Sequence, residues 1–202
     1  MKLIIGLGNP GVRYQRTRHN IGRALIEFMA AQAKAVFKRE KKIASLRAET
    51  SWGAETVCLI YPEVFMNLSG DAVRKIKAQY PADPASDFLI VVDDAALPFG
   101  MLRLRGQGSS GGHNGLKSVA QALGSEKYAR LRMGIGKPGT QMPADSEDVS
   151  EALHDYVLDL FSAAEEAVMP EFLKRAGDVC RLWAEGPMER AMNAVNQRVP
   201  KS

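Results

Sequence analysis

The run FLIVVDD, residues 88–94, constrains the fold more than any other stretch. Its five leading residues are apolar without alternation, the pattern of a strand buried on both faces. A second run, KLIIGLG at residues 2–8, has the same character and is bounded by glycines. Strands of this kind require helices on both sides of a sheet, and the rest of the chain supplies them. From Asn20 the apolar positions Ile21, Ala24, Leu25, Phe28 and Met29 recur at helical spacing to about Ala35, with Asn20 as N-cap. A second helix is predicted over about Leu68 to Tyr80, and a third over GLKSVAQALG, ended by Gly124. Ser162 and Glu165 form a capping-box pattern before a helix with the stripe Val168, Phe172, Ala176, Val179 and Trp183, which Pro170 should kink or restart. A short helix over about Met188 to Gln197 closes the chain.

SLRAETSWG and ETVCLIYP read as a hairpin through Gly53, and KREKK at residues 38–42 as a basic turn. MLRLR at 101–105 alternates strictly, as an edge strand with its arginines outward would, and YARLRMGIG reads as a further strand. Residues 137–150, KPGTQMPADSEDVS, are rich in Pro, Gly, Ser and Asp and are expected to form a mobile lid loop. The predicted fold is a single α/β domain over residues 1–202, a sandwich of helices around a mixed, twisted sheet.

Composition bounds the function. No stretch approaches the roughly 20 apolar residues of a membrane span, and no apolar signal core follows Lys2, so the chain reads as cytoplasmic. Cys58 and Cys180 lie in apolar periodic segments and read as buried thiols, not ligands. The net charge of +4 is unevenly spread: residues 1–137 carry 21 Lys and Arg against 11 Asp and Glu, residues 138–202 carry 6 against 12. A basic body of this kind suits an anionic partner such as nucleic acid.

GLGNPG spells G-x-G-x-x-G after a strand, but Pro10 sits inside it, no helix opens before about Asn20, and Glu27 lies in mid-helix. A dinucleotide site needs the helix at once and an acidic residue at the end of the next strand, so the loop instead projects the amide of Asn9. Zinc ligation by His19, His113 and Asp93 or Asp94 lacks the close spacing of a helical His pair or a nearby Cys. No nucleophile elbow occurs, and Ser110 lacks the strand–turn–helix setting of one. What remains is histidine, aspartate and several asparagines at loop ends: a base, a carboxylate to orient it and amides to grip a carbonyl. His154 reads as a surface residue in an acidic helix.

GLGNPGVRYQRTRHNIG, FMNLSG, VDDAALPFG, SSGGHNGLKS and RLRMGIGKPG together resemble the bacterial peptidyl-tRNA hydrolase family, in order and with motif spacing kept from residue 3 to about 196. The resemblance implies a monomeric cytoplasmic esterase, without metal or organic cofactor, that cleaves the bond between a nascent peptide and the 3′ ribose of tRNA. It implies His19 as the base, Asp93 as the carboxylate that orients it, and Asn9 as the residue that distinguishes a blocked α-amino group. It implies Tyr14, Phe65, Asn67 and Asn114 as holders of the substrate's 3′ end, Met66 as part of the same crevice, and Arg105 with Arg132 as a phosphate clamp. His113 either joins that binding surface or orders its glycine loop. Asp94 leaves open which carboxylate faces His19, although counting back from LPFG favours Asp93. The alternative is a catalytically idle relative, like a splicing factor, that only binds structured RNA.

Overall fold

The computed structural model of the protein describes residues 1–137 and 146–196. Seven strands form one mixed sheet: β1 Lys2–Gly6, β2 Lys38–Glu40, β3 Ser45–Trp52, β4 Glu55–Pro62, β5 Phe88–Asp94, β6 Leu102–Arg105 and β7 Ala129–Gly134. Their order is β2-β3-β4-β1-β5-β7-β6. The centre is parallel, β4 with β1, β1 with β5 and β5 with β7, and antiparallel neighbours flank it on both sides. Seven helices complete the described chain: α1 Ile21–Gln32, α2 Ser69–Gln79, α3 Pro84–Asp87, α4 Asn114–Leu123, α5 Ser146–Leu158, α6 Ala163–Glu185 and α7 Met188–Val195.

The unbroken apolar runs are central strands. Alternate residues of β1 and β5 feed two cores: Ile4, Leu89 and Val91 meet α1 and α6 on one face, while Leu3, Ile5, Phe88, Ile90 and Val92 meet α2 and α4 on the other. Burying one such side chain contributes about 1.5–3 kcal/mol, so the central strands fix the register firmly. Helix α1 sits on β1 with almost nothing between them. A Cβ added at Gly6 would stand 2.2 Å from the Gly22 carbonyl, and one at Gly22 would stand 2.4 Å from the Val91 carbonyl. The first glycine of GLGNPG therefore serves helix–strand contact, and α1 does not open until residue 21.

Four expectations need correcting. KREKK contributes the short strand β2 and a 3-10 turn, because Lys38–Glu40 pair with Ser45–Arg47 at the sheet edge. Val168 is 52% exposed, outside the stripe buried through Phe172, Ala176, Val179 and Trp183. Pro170 does not restart the helix: it lies inside α6, which runs as one helix from its complete capping box onward. Of the segment expected as a lid, residues 146–150 begin α5, where the residue types Ser, Glu and Asp suit a helix N-terminus; residues 138–145, like Gln197, lie outside the described residues. Both cysteines are free and buried, as their apolar settings indicate.

Candidate active site

The carboxyl ends of β1 and β5 carry the polar groups, where open α/β sheets place their sites. β5 ends in Asp93 and Asp94, and the two part company. Asp94 accepts from the Ala96 amide at 2.8 Å and pairs with Arg132 at 3.3 Å. Asp93, 3% exposed, faces His19, whose Nδ1 lies 2.8 Å from Asp93 Oδ1. The same oxygen lies 3.0 Å from Nε2 of His113. His113 also caps α4, its Nδ1 accepting from the Leu116 amide at 3.3 Å. That acceptor role puts the proton on Nε2, so His113 donates to Asp93. Burial pushes the Asp93 carboxyl up, but the charges and hydrogen bonds of His19 and His113 outweigh it and hold the group well below the usual carboxylate range.

The consequence is a directed histidine. With Nδ1–H donated to Asp93, the lone pair of His19 is on Nε2, which makes no hydrogen bond among the described residues. The turn that carries it is fixed from below. Arg18 is buried between the rings of Tyr156 and Phe161, makes a bidentate pair with Glu165 at 2.8 and 2.7 Å and donates to the Ile135 carbonyl at 3.0 Å. The hydrogen bond from Arg18 brings Glu165 down to about 2. Arg18 also donates its backbone N–H to Asp159, and Thr17 bridges to Leu160, so the α5–α6 junction grips both residues before His19.

Asn20 is not the side-chain cap its position suggests. Its amide is spent on Asn9, accepting from the Asn9 backbone N–H at 2.8 Å and donating to the Asn9 carbonyl at 2.9 Å. Asn9 in turn accepts from the Met66 backbone N–H at 2.8 Å through its side-chain oxygen. A backbone amide only donates, so this contact fixes the orientation of the Asn9 amide and leaves Nδ2 as the free group. The free side of the Asn9 amide therefore presents a donor and not an acceptor.

Several other predicted residues surround this centre. Tyr14 and Phe65 meet edge to face, centroids 6.4 Å apart, and Phe65 is 50% exposed. Asn67 is exposed in the 3-10 turn Met66–Leu68 and does not cap α2, whose N-cap is Leu68. Asn114 is exposed at the first position of α4, directly after His113. Three expectations change. Met66 is a core side chain, 4% exposed, whose contribution to the site is its backbone N–H. His113 has both ring nitrogens engaged inside the protein, which leaves neither for a bound substrate. Arg132 is tied to Asp94 and to the carbonyls of Ser109 and Ser110, whereas Arg105 is exposed on β6. Arg18 and Asn20 lie inside the GLGNPGVRYQRTRHNIG motif, but the sequence offers Asn20 only as a helix N-cap and gives Arg18 no role at the site. Asn20 could have been found from its place immediately after the histidine, since a base needs its loop held.

His19, Asp93 and His113 offer ligand atoms within 4.8 Å of one another. Those atoms already hydrogen-bond to each other, so a cation would have to break both imidazole contacts to Asp93.

Fold and site together describe an α/β protein whose carboxylate-held imidazole, at the carboxyl edge of a parallel strand pair, is placed for general acid–base work. A family model described as peptidyl-tRNA hydrolase matches residues 3–202. The peptidyl-tRNA hydrolase of Chloroflexus aggregans is 43% identical over 196 residues, 97% of this chain and 99% of that one. That of Cytophaga hutchinsonii is 44% identical over 198 residues, 97% of this chain and 98% of its own. The crystal structure of peptidyl-tRNA hydrolase from Acinetobacter baumannii superposes with a TM-score of 0.86 at 32% identity, covering 100% of this chain and 97% of that one. The chain belongs to the peptidyl-tRNA hydrolase family.

Proposed function

We propose that this protein hydrolyses the ester joining a peptide to the 3′ ribose of tRNA, with His19 as general base. The observation that carries the reading is the contact of His19 Nδ1 with Asp93 Oδ1 at 2.8 Å, beside an Asn9 amide whose only free group is a donor. His19 Nε2 takes a proton from water as it attacks the ester carbonyl, and Asp93 stabilises the imidazolium that forms. The electron pair of the carbonyl moves onto its oxygen, then returns as the ribose oxygen leaves and takes the proton from His19. In this reading Asn67 and Asn114, both exposed, donate to that developing oxyanion, a kind of interaction worth about 2.7–4 kcal/mol.

Asn9 Nδ2 donates to the carbonyl of the adjoining peptide unit. A free aminoacyl ester has no such carbonyl and would place an ammonium against amide donors, which penalises it. Tyr14 and Phe65 offer the aromatic surface on which a 3′ adenine stacks, and Arg105 meets a backbone phosphate. All these residues come from one chain, so a monomer suffices. None of the helices among the described residues is long and apolar enough to cross a membrane, which accords with an enzyme of the cytoplasm, where peptidyl-tRNA is made.

The test is release of N-acetyl-aminoacyl groups from tRNA. Wild type should release them, and His19→Ala should lose about 10²–10⁴-fold in kcat while still binding tRNA. Equal rates for both proteins would overturn the reading and favour the idle RNA-binding alternative, which the family and its named relatives do not favour.

A further inference from the structure

Ile135, the first residue after β7, joins the two halves of the reaction centre. Its backbone N–H donates at 3.1 Å to the carbonyl of Asp94, the residue after Asp93. Its carbonyl accepts at 3.0 Å from Nη1 of Arg18, the residue before His19, and at 2.7 Å from the hydroxyl of Tyr156 on α5. A carbonyl oxygen has two lone pairs, so both are taken. The base and its carboxylate thus each stand one residue away from a hydrogen bond to Ile135. Whatever fixes Arg18 against Ile135 also fixes His19 against Asp93.

Tyr156 touches both of these groups. Its hydroxyl holds the Ile135 carbonyl, and its ring lies 4.5 Å from the Arg18 guanidinium. Arg18 Nε is buried with no partner, so the guanidinium is held by Glu165, the Ile135 carbonyl and the rings of Tyr156 and Phe161. Burial raises the Tyr156 pKa above its ordinary value although Arg18 opposes it, so the hydroxyl stays protonated and donates. The chain makes room for that hydroxyl with Gly136, where an added Cβ would stand 3.2 Å from the Tyr156 oxygen. The backbone repeats the link: Asp159 donates its N–H to the Tyr156 carbonyl at 3.2 Å and accepts the Arg18 N–H at 3.0 Å. Leu153, His154 and Asp155, which precede Tyr156 on α5, are exposed and take no part.

We propose that Tyr156 is a positioning residue for the hydrolytic step, which meets no reacting atom but sets the distance between His19 and Asp93 by holding Arg18 and the Ile135 carbonyl together. The inference rests on the hydrolase reading for its substrate. Tyrosine suits the place because one side chain supplies both a donor and a face for a cation, and that face is worth most to a desolvated guanidinium. A misplacement of about 1 Å, caused far from the chemistry, can cost about 10²-fold in rate, so a brace two contacts from the base reaches turnover.

The test compares wild type, Tyr156→Leu and Tyr156→Phe on N-acetyl-aminoacyl-tRNA, at a temperature where circular dichroism shows each fully folded. Tyr156→Leu loses hydroxyl and ring and should fall about tenfold in kcat, with KM and the binding of uncharged tRNA unchanged. Tyr156→Phe keeps the ring and should recover most of that loss, remaining about threefold below wild type for want of one hydrogen bond. A second readout is independent of turnover. The downfield Nδ1–H proton of His19, bonded to Asp93 and identified by its absence in His19→Ala, should exchange with solvent faster in both variants, most in Tyr156→Leu. Wild-type kcat in both variants, an unchanged His19 proton, or a loss of tRNA affinity equal to the loss of kcat would overturn the proposal. Should Tyr156→Leu not fold, Tyr156→Phe decides by the same two measurements. Failure of wild type to release the acyl group would instead count against the hydrolase reading, with the His19 proton still deciding the role of Tyr156.

Discussion

The reaction centre and the arginine edge treat polarity in opposite ways. Around Asp93 the groups are buried and answered: one carboxylate oxygen takes two imidazole donors, the Asn20 amide satisfies both backbone groups of Asn9, and Arg18 is clamped by Glu165. One open position remains on each of His19 and Asn9. Along β6 and β7 arginine faces arginine, Arg103 opposite Arg132 and Arg105 opposite Arg130, and Arg103 and Arg105 are left to solvent. A site for chemistry needs atoms held to a fraction of an ångström, and internal partners provide that. A site for a polyanion common to many substrates needs charge and tolerates movement. Substitutions in the first region should therefore act on kcat, and those in the second on KM and salt dependence.

The strongest attempt to break this contrast is Asp93→Asn. An amide at this place can present N–H to His19, reverse its tautomer and remove the support for imidazolium, so kcat should fall about 10³-fold with tRNA affinity unchanged. A matching rise in KM would show that the centre and the binding edge are not separate. Asn9→Asp comes next. The variant keeps an acceptor for the Met66 amide but exchanges the free donor for a carboxylate oxygen, and kcat on N-acetyl-aminoacyl-tRNA should drop about 10²-fold. Its selectivity against unblocked aminoacyl-tRNA should narrow as well; unaltered rates and selectivity would remove Asn9 from the site.

The smallest effect sharpens how the centre is held. The Glu165 carboxyl, with the Arg18 hydrogen bond as its largest cause, sits at about 2 against an ordinary 4.5. A depressed carboxyl stabilises the folded state above the unfolded value and loses that contribution as pH falls through the folded one. Wild type should thus lose stability between about pH 4.5 and 2 through this group. Glu165→Gln should be about 2 kcal/mol less stable at neutral pH and show a shallower decline across that acid window. Denaturant titrations at several pH values decide it, and parallel curves for the two proteins would mean the Arg18 clamp carries no stability.

The sequence made the architecture legible where one physical signal dominated. Unbroken apolar runs gave the central strands, the S-x-x-E box gave the start of α6, and strict alternation gave the edge strand β6. It misled where tertiary contacts override a local rule. Asn20 stands at a helix start but spends its amide across the loop, and Met66 lies in a motif yet contributes its backbone. The pairing of Arg103 with Arg132 depends on register between strands 29 residues apart in sequence, which no local pattern encodes. His113 and Asp93 were each visible as polar residues at loop ends, but their shared oxygen exists only once the sheet and α4 are assembled.

The seating of α1 on β1 has a mechanical consequence. Where Gly22 meets the Val91 carbonyl and Gly6 meets Gly22, no side chain intervenes to yield like a cushion, so the helix rests on the strand as one rigid surface on another. His19 stands three residues before Gly22, on the near end of that support. A single methyl group at either glycine would act as a shim, tipping the end of the helix outward and carrying the imidazole away from a carboxylate it meets at 2.8 Å. The alignment of the His19 imidazole is set in part by two methyl groups that Gly6 and Gly22 do not have.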